Sequence, residues 1–321
     1  MNKIQVGIAG GAGYTGGELL RILLGHPDVE IAYVHSKSQA GKPLYSAHPD
    51  LIGETDLHFA GDFSKQADVL FLCLGHGESK VFLQENPFGA QTRIIDLSQD
   101  FRDESEGFVY GLPELNRERI KTATRVANPG CFATAIQLAL LPLAKAGFLG
   151  EDVHVSAVTG STGAGQSLSA TSHFSWRSSN ISVYKAFTHQ HLKEIRQSLT
   201  SLQPGFEQKI HFIPYRGNFT RGILASCYTT SGLSLDEARQ LYSDYYASHP
   251  FTHISTSEVD IKQVVNTNKC VLHLEKHEDQ LLITSVIDNL TKGASGQAVQ
   301  NLNLLFGLEE RAGLALKTVA F

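Results

Sequence analysis

Ile4-Gln5-Val6-Gly7-Ile8-Ala9-Gly10-Gly11-Ala12-Gly13-Tyr14-Thr15-Gly16 opens with a short apolar run and passes into a loop in which glycine recurs. Glu18-Leu19-Leu20-Arg21-Ile22-Leu23-Leu24 then repeats apolar residues with a helical period, before Gly25 and Pro27 close the segment. Strand, glycine loop and helix in that order are the context a dinucleotide-binding loop requires. Glycine lets the backbone approach a pyrophosphate, and the helix N-terminus supplies N–H groups to hold it. The spacing is Gly10-x-x-Gly13-x-x-Gly16, a variant of the usual G-x-G-x-x-G. With these flanks, Gly10, Gly13, Tyr14, Thr15 and Gly16 are candidate cofactor contacts.

The next strand, Val29 to Val34, helps choose the cofactor. A protein that binds NAD usually ends this strand with an acidic residue, which accepts from the ribose 2′-OH. Here the end reads His35-Ser36-Lys37-Ser38, and Glu30 lies at the other end. Two hydroxyls and an ammonium fit a 2′-phosphate, so Ser36, Lys37 and Ser38 point to NADP(H). The bland alternative is an ordinary polar loop. Asp68 to Leu74 and Arg93 to Leu97 read as further parallel strands, and such sheets bind ligands in the loops at their carboxyl ends. Ser98 and Arg102 lie in the second of these loops as candidate anion ligands. For Arg102 the alternative is a surface ion pair with Asp103 or Glu104.

Asn128-Pro129-Gly130-Cys131-Phe132-Ala133-Thr134 leads into a run with no charge before Lys145, as expected of a buried helix. Pro129 and Gly130 break what precedes, so this helix should start at or near Cys131. A helix N-terminus favours a thiolate over a thiol, and a thiolate is a strong carbon nucleophile. Cys131 is therefore either a nucleophile for acyl transfer or a small buried apolar residue. Cys73, Cys227 and Cys270 lie in strand-like runs, and no C-x-x-C spacing indicates zinc or a redox pair. Four thiols without a regular framework fit a reducing compartment.

Val153 to Val158 alternates like a strand and opens a second half. Gly160 to Gly165 is another flexible loop, and Ser167 to Asn180 reads as a long ordered loop. His189 and His191 precede the helical segment Leu192 to Leu199. Their i, i+2 spacing lacks the third ligand a metal site needs, so no metal is expected. An imidazole paired with Cys131 is the more economical reading, while loop packing or capping is the plain one. Arg216 and Arg221 could clamp a phosphate or carboxylate before a strand at Ile223. Ile210–Ile213, Gly222–Thr229, Lys269–Leu274 and Leu281–Ile287 read as strands of a mixed or antiparallel sheet. Asp236 to Tyr246 is a helix after a cap region at Leu233-Ser234. Gly296 to Phe306 is a closing helix with an apolar stripe, expected to return to the nucleotide half.

The chain of 321 residues suffices for two cores; 18% charged residues, 42% hydrophobic residues and a net charge of −5 describe a soluble globular protein. No basic surplus calls for nucleic acid. The polar start does not read as a signal peptide, and no apolar stretch approaches the roughly 20 residues of a membrane span. The expected location is the cytoplasm, with no membrane partner.

These residues resemble the N-acetyl-γ-glutamyl-phosphate reductases, NADPH-dependent enzymes of arginine biosynthesis, nearly end to end. Gly10 to Leu19 resembles the family's glycine loop, and Ala40 to Pro43 its following turn. Asp96 to Arg102 and Tyr110 to Glu114 look like its central signatures. Asn128 to Pro142 is similar to its active-site motif, His189-x-His191-x-x-Glu194 to its histidine motif, and Asp288 to Asn301 to its C-terminal signature. The resemblance implies Cys131 as nucleophile, with His189 or His191 as acid–base; we prefer His189. Asn128 joins Ser98, Arg102, Arg216 and Arg221 on the substrate side, and Asn289 contacts the nicotinamide end.

The resemblance further implies the semialdehyde dehydrogenase fold. Residues 1–130 and 296–321 would form an α/β Rossmann domain for NADP(H), and residues 131–295 an α+β catalytic and dimerisation domain. The expected reaction is reduction of an N-acyl-γ-glutamyl phosphate to N-acyl-glutamate 5-semialdehyde and phosphate through a Cys131 thioester, by a homo-oligomer acting on a small molecule. The acyl group is acetyl, with succinyl as the alternative. One departure bears on it. Many members have Pro-His-x-x-Pro-Met-x-Arg-Gly where this chain reads Pro214-Tyr215-Arg216-Gly217-Asn218-Phe219-Thr220-Arg221-Gly222. Tyr215 replaces the histidine and Arg216 is an added cation, either a surface arginine or a partner for an extra substrate carboxylate. The rivals are an aspartate-semialdehyde dehydrogenase, against which the histidine and C-terminal motifs argue, and a nucleotide-sensing protein without catalysis.

Overall fold

A computed structural model describes residues 3–63, 67–89 and 91–319. The chain divides into two compact units, Met1–Gly130 with Ala294–Ala315, and Cys131–Gly293 with Leu316–Phe321. No helix among the described residues is long and apolar enough to cross a membrane.

The first unit runs β1 (Ile4–Ala9), α1 (Tyr14–Leu23), β2 (Val29–His35), β3 (Phe59–Ala60), β4 (Val69–Leu72), α2 (Glu78–Glu85), β5 (Arg93–Asp96), β6 (Val109–Tyr110), α3 (Pro113–Lys121) and β7 (Arg125–Ala127). Its sheet has the order β3-β2-β1-β4-β5-β7-β6, with every pair parallel. Val6, Ile8 and Val69 to Leu72 are buried, as a sheet covered on both faces demands. Ala9 is in register with His35 on one side and Leu72 on the other. The strand order reverses beside β1, and the loop leaving Ala9 occupies the switch point where such sheets take ligands.

The second unit begins with α4 (Cys131–Lys145) and continues through β8 (Val153–Thr159), α5 (Phe174–Arg177), β9 (Ser182–Val183), α6 (His191–Leu202), β10 (Ile210–Arg216), β11 (Ile223–Thr230), α7 (Leu235–Tyr246), β12 (Thr252–Ser255), β13 (Cys270–His277) and β14 (Gln280–Ile287). Its sheet is mixed, in the order β12-β13-β14-β11-β8-β10-β9, with β8/β10 and β12/β13 parallel. Every residue from Phe132 to Ala144 is buried. Pro142 has no N–H for the Leu138 carbonyl, and the Tyr246 hydroxyl donates to that oxygen instead at 2.6 Å. The Tyr242 hydroxyl donates to the next carbonyl, that of Ala139. Ser234 and Glu237 form a reciprocal capping box that starts α7. The last helix, α8 (Gly296–Leu305), is buried along its whole length and packs on α1, α3 and β5 of the first unit.

Four details differ from the sequence reading. Strand β4 ends at Leu72, so Cys73 lies just beyond it, its N–H donating to Ala9 O. The stretch Ser167 to Asn180 is broken by a turn at Ala170–Ser172 and by α5. Strand β10 continues past Ile213 to Arg216, because Pro214 removes a donor while its carbonyl still accepts from Tyr184 N. Short strands β3, β6, β7, β9 and β12 and helices α2 and α3 carry too little periodicity to be read in advance.

Candidate active site

In the first unit, the glycine loop is shaped by contacts only glycine permits. Gly10 has φ +77°, and a Cβ there would lie 2.6 Å from the Cys73 carbonyl oxygen. A Cβ on Gly16 would lie 2.5 Å from the Gly11 carbonyl oxygen, so α1 packs directly on the loop. Gly13 is the N-cap of α1 and offers no side-chain cap, leaving the first N–H groups of the helix to an anion. The N–H groups of Gly10 and Gly11 both donate to His35 O. His48, which the sequence reading passed over, donates from Nε2 to Gly11 O at 2.7 Å and packs its ring against Gly17. Ser295 Oγ donates to Thr15 O at 2.9 Å, and Tyr14 is exposed. At the end of β2, Ser36 Oγ lies 3.4 Å from Ser38 Oγ, with Lys37 exposed between them. This set fits a dinucleotide with a 2′-phosphate: a glycine cradle, an uncapped helix start and a Ser-Lys-Ser corner.

Asp96, wholly buried, accepts from Ser79 Oγ at 2.6 Å and from Ser98 Oγ at 2.7 Å. Burial pushes its carboxyl pKa up, against the pull of those hydroxyls and of Arg102. Arg102 donates from Nε to Asn128 O and from Nη2 to Leu97 O, while Glu104 pairs with Arg119. Asn128 donates to Ala294 O and accepts from Asn301 Nδ2. Ser98, Arg102 and Asn128 thus belong to one hydrogen-bonded scaffold that shapes the loops after β5 and β7.

In the second unit, Cys131 is the first residue of α4 and is half-buried. The backbone of the turn after β14 presses against it. A Cβ on Gly293 would lie 2.8 Å from Cys131 Cβ, so no other residue fits without moving Cys131. That turn is organised by Asp288, wholly buried, whose carboxylate accepts from the main-chain N–H of Asn266, Leu290 and Thr291. Arg221 forms a two-point pair with the same carboxylate, both N–O distances 3.0 Å, and also donates to Thr291 Oγ1. Asn289 accepts from Gly222 N at 2.7 Å and donates to Thr162 Oγ1 at 3.0 Å, joining the Gly160–Gly165 loop to the start of β11.

His189 is buried among Phe132, Phe212 and Tyr184, with ring centroids 5.6, 5.4 and 5.8 Å away. Burial first, then the charges of Lys185 and Arg216, lower its pKa from 6.5 to about 4. The imidazole is therefore neutral at physiological pH. Its Nδ1 accepts from His191 N at 3.3 Å, which places the single ring proton on Nε2. His191, first residue of α6, has its ring 4.6 Å from that of His189, with Nε2 3.8 Å from Glu194 Oε1. Tyr184, which no local pattern marked, has its pKa raised to about 12 by burial and then by Cys131 nearby. Arg216 lies with its guanidinium 4.5 Å from the centre of the Tyr184 ring. Among the described residues no group of three or more His, Cys, Asp or Glu is placed to hold a metal.

Residues 5–123 match the family model described as semialdehyde dehydrogenase, NAD binding domain, and residues 131–289 the one described as semialdehyde dehydrogenase, dimerisation domain. The N-acetyl-γ-glutamyl-phosphate reductase of Christiangramia forsetii is 61% identical, over 99% of this chain and all of that protein. The protein of the same name from Flavobacterium johnsoniae is 56% identical with the same coverage. Among solved structures, aspartate semialdehyde dehydrogenase II from Vibrio cholerae superposes with a TM-score of 0.73, covering 96% of this chain and 99% of that one at 17% identity. The Candida albicans aspartate semialdehyde dehydrogenase with NADP gives 0.70 at 16% identity, covering 97% and 99%. At these identities the likeness to the solved structures is one of fold.

Two predictions follow from this geometry. Gly293→Ala displaces Cys131 and should lower kcat by roughly 100-fold, since a shift near 1 Å at a reacting atom has that effect. Near-normal kcat with an intact melting transition would contradict the packing argument. For His189, a folded-state pKa below the unfolded 6.5 means that the unfolded chain binds the extra proton first. Its contribution to stability is therefore complete above 6.5 and is lost as pH falls towards about 4. The acid limb of kcat/KM due to this residue should likewise fall near 4, and be absent in His189→Asn; a limb at 6.5 in both proteins would contradict it.

Proposed function

The chain belongs to the semialdehyde dehydrogenase family, among its N-acetyl-γ-glutamyl-phosphate reductases, and from this we propose how its own residues carry the reaction. The enzyme reduces N-acetyl-γ-glutamyl phosphate to N-acetyl-glutamate 5-semialdehyde and phosphate, with NADPH, in arginine biosynthesis. What carries the assignment of roles is a thiol at the first residue of a buried apolar helix, in the same unit as a neutral imidazole.

The partial positive charge and N–H groups at the start of α4 favour negative charge on Cys131 Sγ. That thiolate attacks the γ-acyl carbon; the carbon–oxygen bond to phosphate breaks, phosphate leaves, and a thioester remains on Cys131. NADPH, when bound, supplies the hydride that reduces the acyl group. His189, neutral with its proton on Nε2, donates a hydrogen bond to the oxyanion that develops on the acyl oxygen. The carbon–sulfur bond then breaks, returning the thiolate and releasing the aldehyde. Gly10, Gly13, Tyr14, Thr15 and Gly16 hold the pyrophosphate of the cofactor, and Ser36, Lys37 and Ser38 its 2′-phosphate. Arg221, fixed by Asp288, and Arg102 hold the loops around the substrate in place. We place the chain in the cytoplasm, the compartment of its cofactor and phosphorylated substrate.

The enzyme acts as a homo-oligomer through the second unit. Helices α4 and α7 pack against its sheet, and alternation puts His154, Ser156 and Val158 on the opposite face to buried Val155 and Ala157. Register adds Leu224, Ser226 and Tyr228 to that face, where His154 stacks on His211 and Tyr228 with centroids 4.8 and 4.9 Å away. A half-exposed surface of rings and aliphatic side chains suits docking to a second copy of itself.

The direct test runs the reaction in reverse, following NADPH formation from NADP+, inorganic phosphate and N-acetyl-glutamate 5-semialdehyde. Turnover should require phosphate and fall at least roughly 10³-fold in Cys131→Ser, with cofactor binding kept. Wild-type-like turnover by that variant, or equal use of aspartate semialdehyde, would refute the reading. Tyr228→Glu should shift the protein towards monomers in sedimentation velocity; an unchanged mass would remove this face as the contact.

A further inference from the structure

We propose that His48 is a positioning residue for the cofactor: its ring N–H turns one peptide of the glycine loop so that the Ala12 N–H faces the pyrophosphate of NADP(H). This rests on the reading of that loop as the pyrophosphate cradle and deepens it by naming what aims the cradle.

The loop has few main-chain donors to offer. Those of Gly10 and Gly11 both go to His35 O, at 3.1 and 3.0 Å, and tie the loop to the end of β2. The Ala12 N–H makes no hydrogen bond among the described residues. It shares a peptide group with Gly11 O, and in a planar trans peptide the carbonyl and the N–H point in opposite directions. The direction of Gly11 O therefore fixes that of the Ala12 N–H. Among the described residues this oxygen accepts from no main-chain N–H; His48 Nε2 holds it, at 2.7 Å. A carbonyl only accepts, so Nε2 carries the ring proton.

The histidine is itself firmly held. Its N–H donates to Leu44 O at 3.1 Å and its carbonyl accepts from Leu51 N at 3.0 Å, and both leucines are buried. A Cβ on Gly17 would lie 2.6 Å from His48 Nδ1, so the imidazole packs on the first turn of α1. Gly11 O is closed in by the same turn, 2.5 Å from where a Gly16 Cβ would lie. The carbonyl thus points into a packed corner, and the Ala12 N–H points out of it. Gly10, Gly11 and Gly13 surround this peptide with residues that resist rotation least. A reversed peptide would present its carbonyl oxygen to the phosphates, where negative charge meets negative charge. By fixing the orientation beforehand, His48 spares the cofactor the cost of ordering the loop. The Ser36-Lys37-Ser38 corner is held separately, through Ser36 N donating to Ala60 O at 3.1 Å.

The test is calorimetry on the enzyme without substrates, using NADPH and 2′-AMP, a fragment with the 2′-phosphate and no pyrophosphate. His48→Asn keeps a polar amide but falls short of Gly11 O. It should raise the Kd for NADPH about tenfold, the worth of one such hydrogen bond, and leave that for 2′-AMP unchanged. His48→Gln, a methylene longer, carries the amide to the position of Nε2 and should return the NADPH Kd to within about threefold of wild type. Equal weakening of both ligands, an unchanged NADPH Kd in His48→Asn, or no recovery in His48→Gln would overturn the proposal. Melting curves without cofactor accompany each titration. Where His48→Asn does not fold, His48→Gln decides, and a loss of about tenfold there overturns the proposal. Failure of the wild-type protein to bind NADPH would instead defeat the cofactor reading itself.

Discussion

A carboxylate shut away from solvent, that of Asp288, sets the position of Cys131 through the turn that follows β14. Its oxygens gather three main-chain N–H groups and the fork of Arg221, and so fold the turn that follows β14. That turn brings Gly293 against Cys131 at a distance no side chain tolerates. A buried ion pair offers little net stability over an apolar replacement, and removing one partner is costly because the other charge is left unmatched. Its value here is geometric. Few other arrangements satisfy one carboxylate with so many donors from separate segments.

The electrostatics around the sulfur are asymmetric in a way that suits acyl transfer. The His189 imidazole is kept neutral, so standing positive charge in this unit comes from the start of α4 and from Arg216, whose charge is felt at His189. A neutral donor at His189 can stabilise an oxyanion as it forms without holding the thiolate in a tight ion pair beforehand. Tyr184 joins these parts. Its ring meets both His189 and Arg216, and Cys131 lies within its electrostatic reach.

Much of this was legible in the amino-acid order, for local reasons. The glycine spacing, the break at Pro129-Gly130 before an uncharged apolar run, and the Ser234 cap of α7 each depend on neighbours within a turn or two. The resemblance of the Cys131 and His189 segments to one enzyme family supplied the reaction. What stayed hidden depends on distant pairing. Arg102 and Arg221 carry the right chemistry for an anion, but nothing near them in sequence reveals that their acceptors include the Asn128 carbonyl and Asp288. Arg216 is set beside Thr159 by the strand register and lies against Tyr184, which is in no motif. His48 holds the glycine loop from outside the fingerprint, where no spacing rule looks.

Covalent catalysis at Cys131 is decided by where the acyl group goes when hydride is withheld. Intact-protein mass spectrometry, after mixing the enzyme with the acyl phosphate in the absence of NADPH, should show one added N-acyl-glutamyl group per chain. Peptide mapping should place it on Cys131, and added NADPH should discharge it as aldehyde. An enzyme that turns over normally yet carries no adduct, or carries it on another residue, would contradict the covalent route.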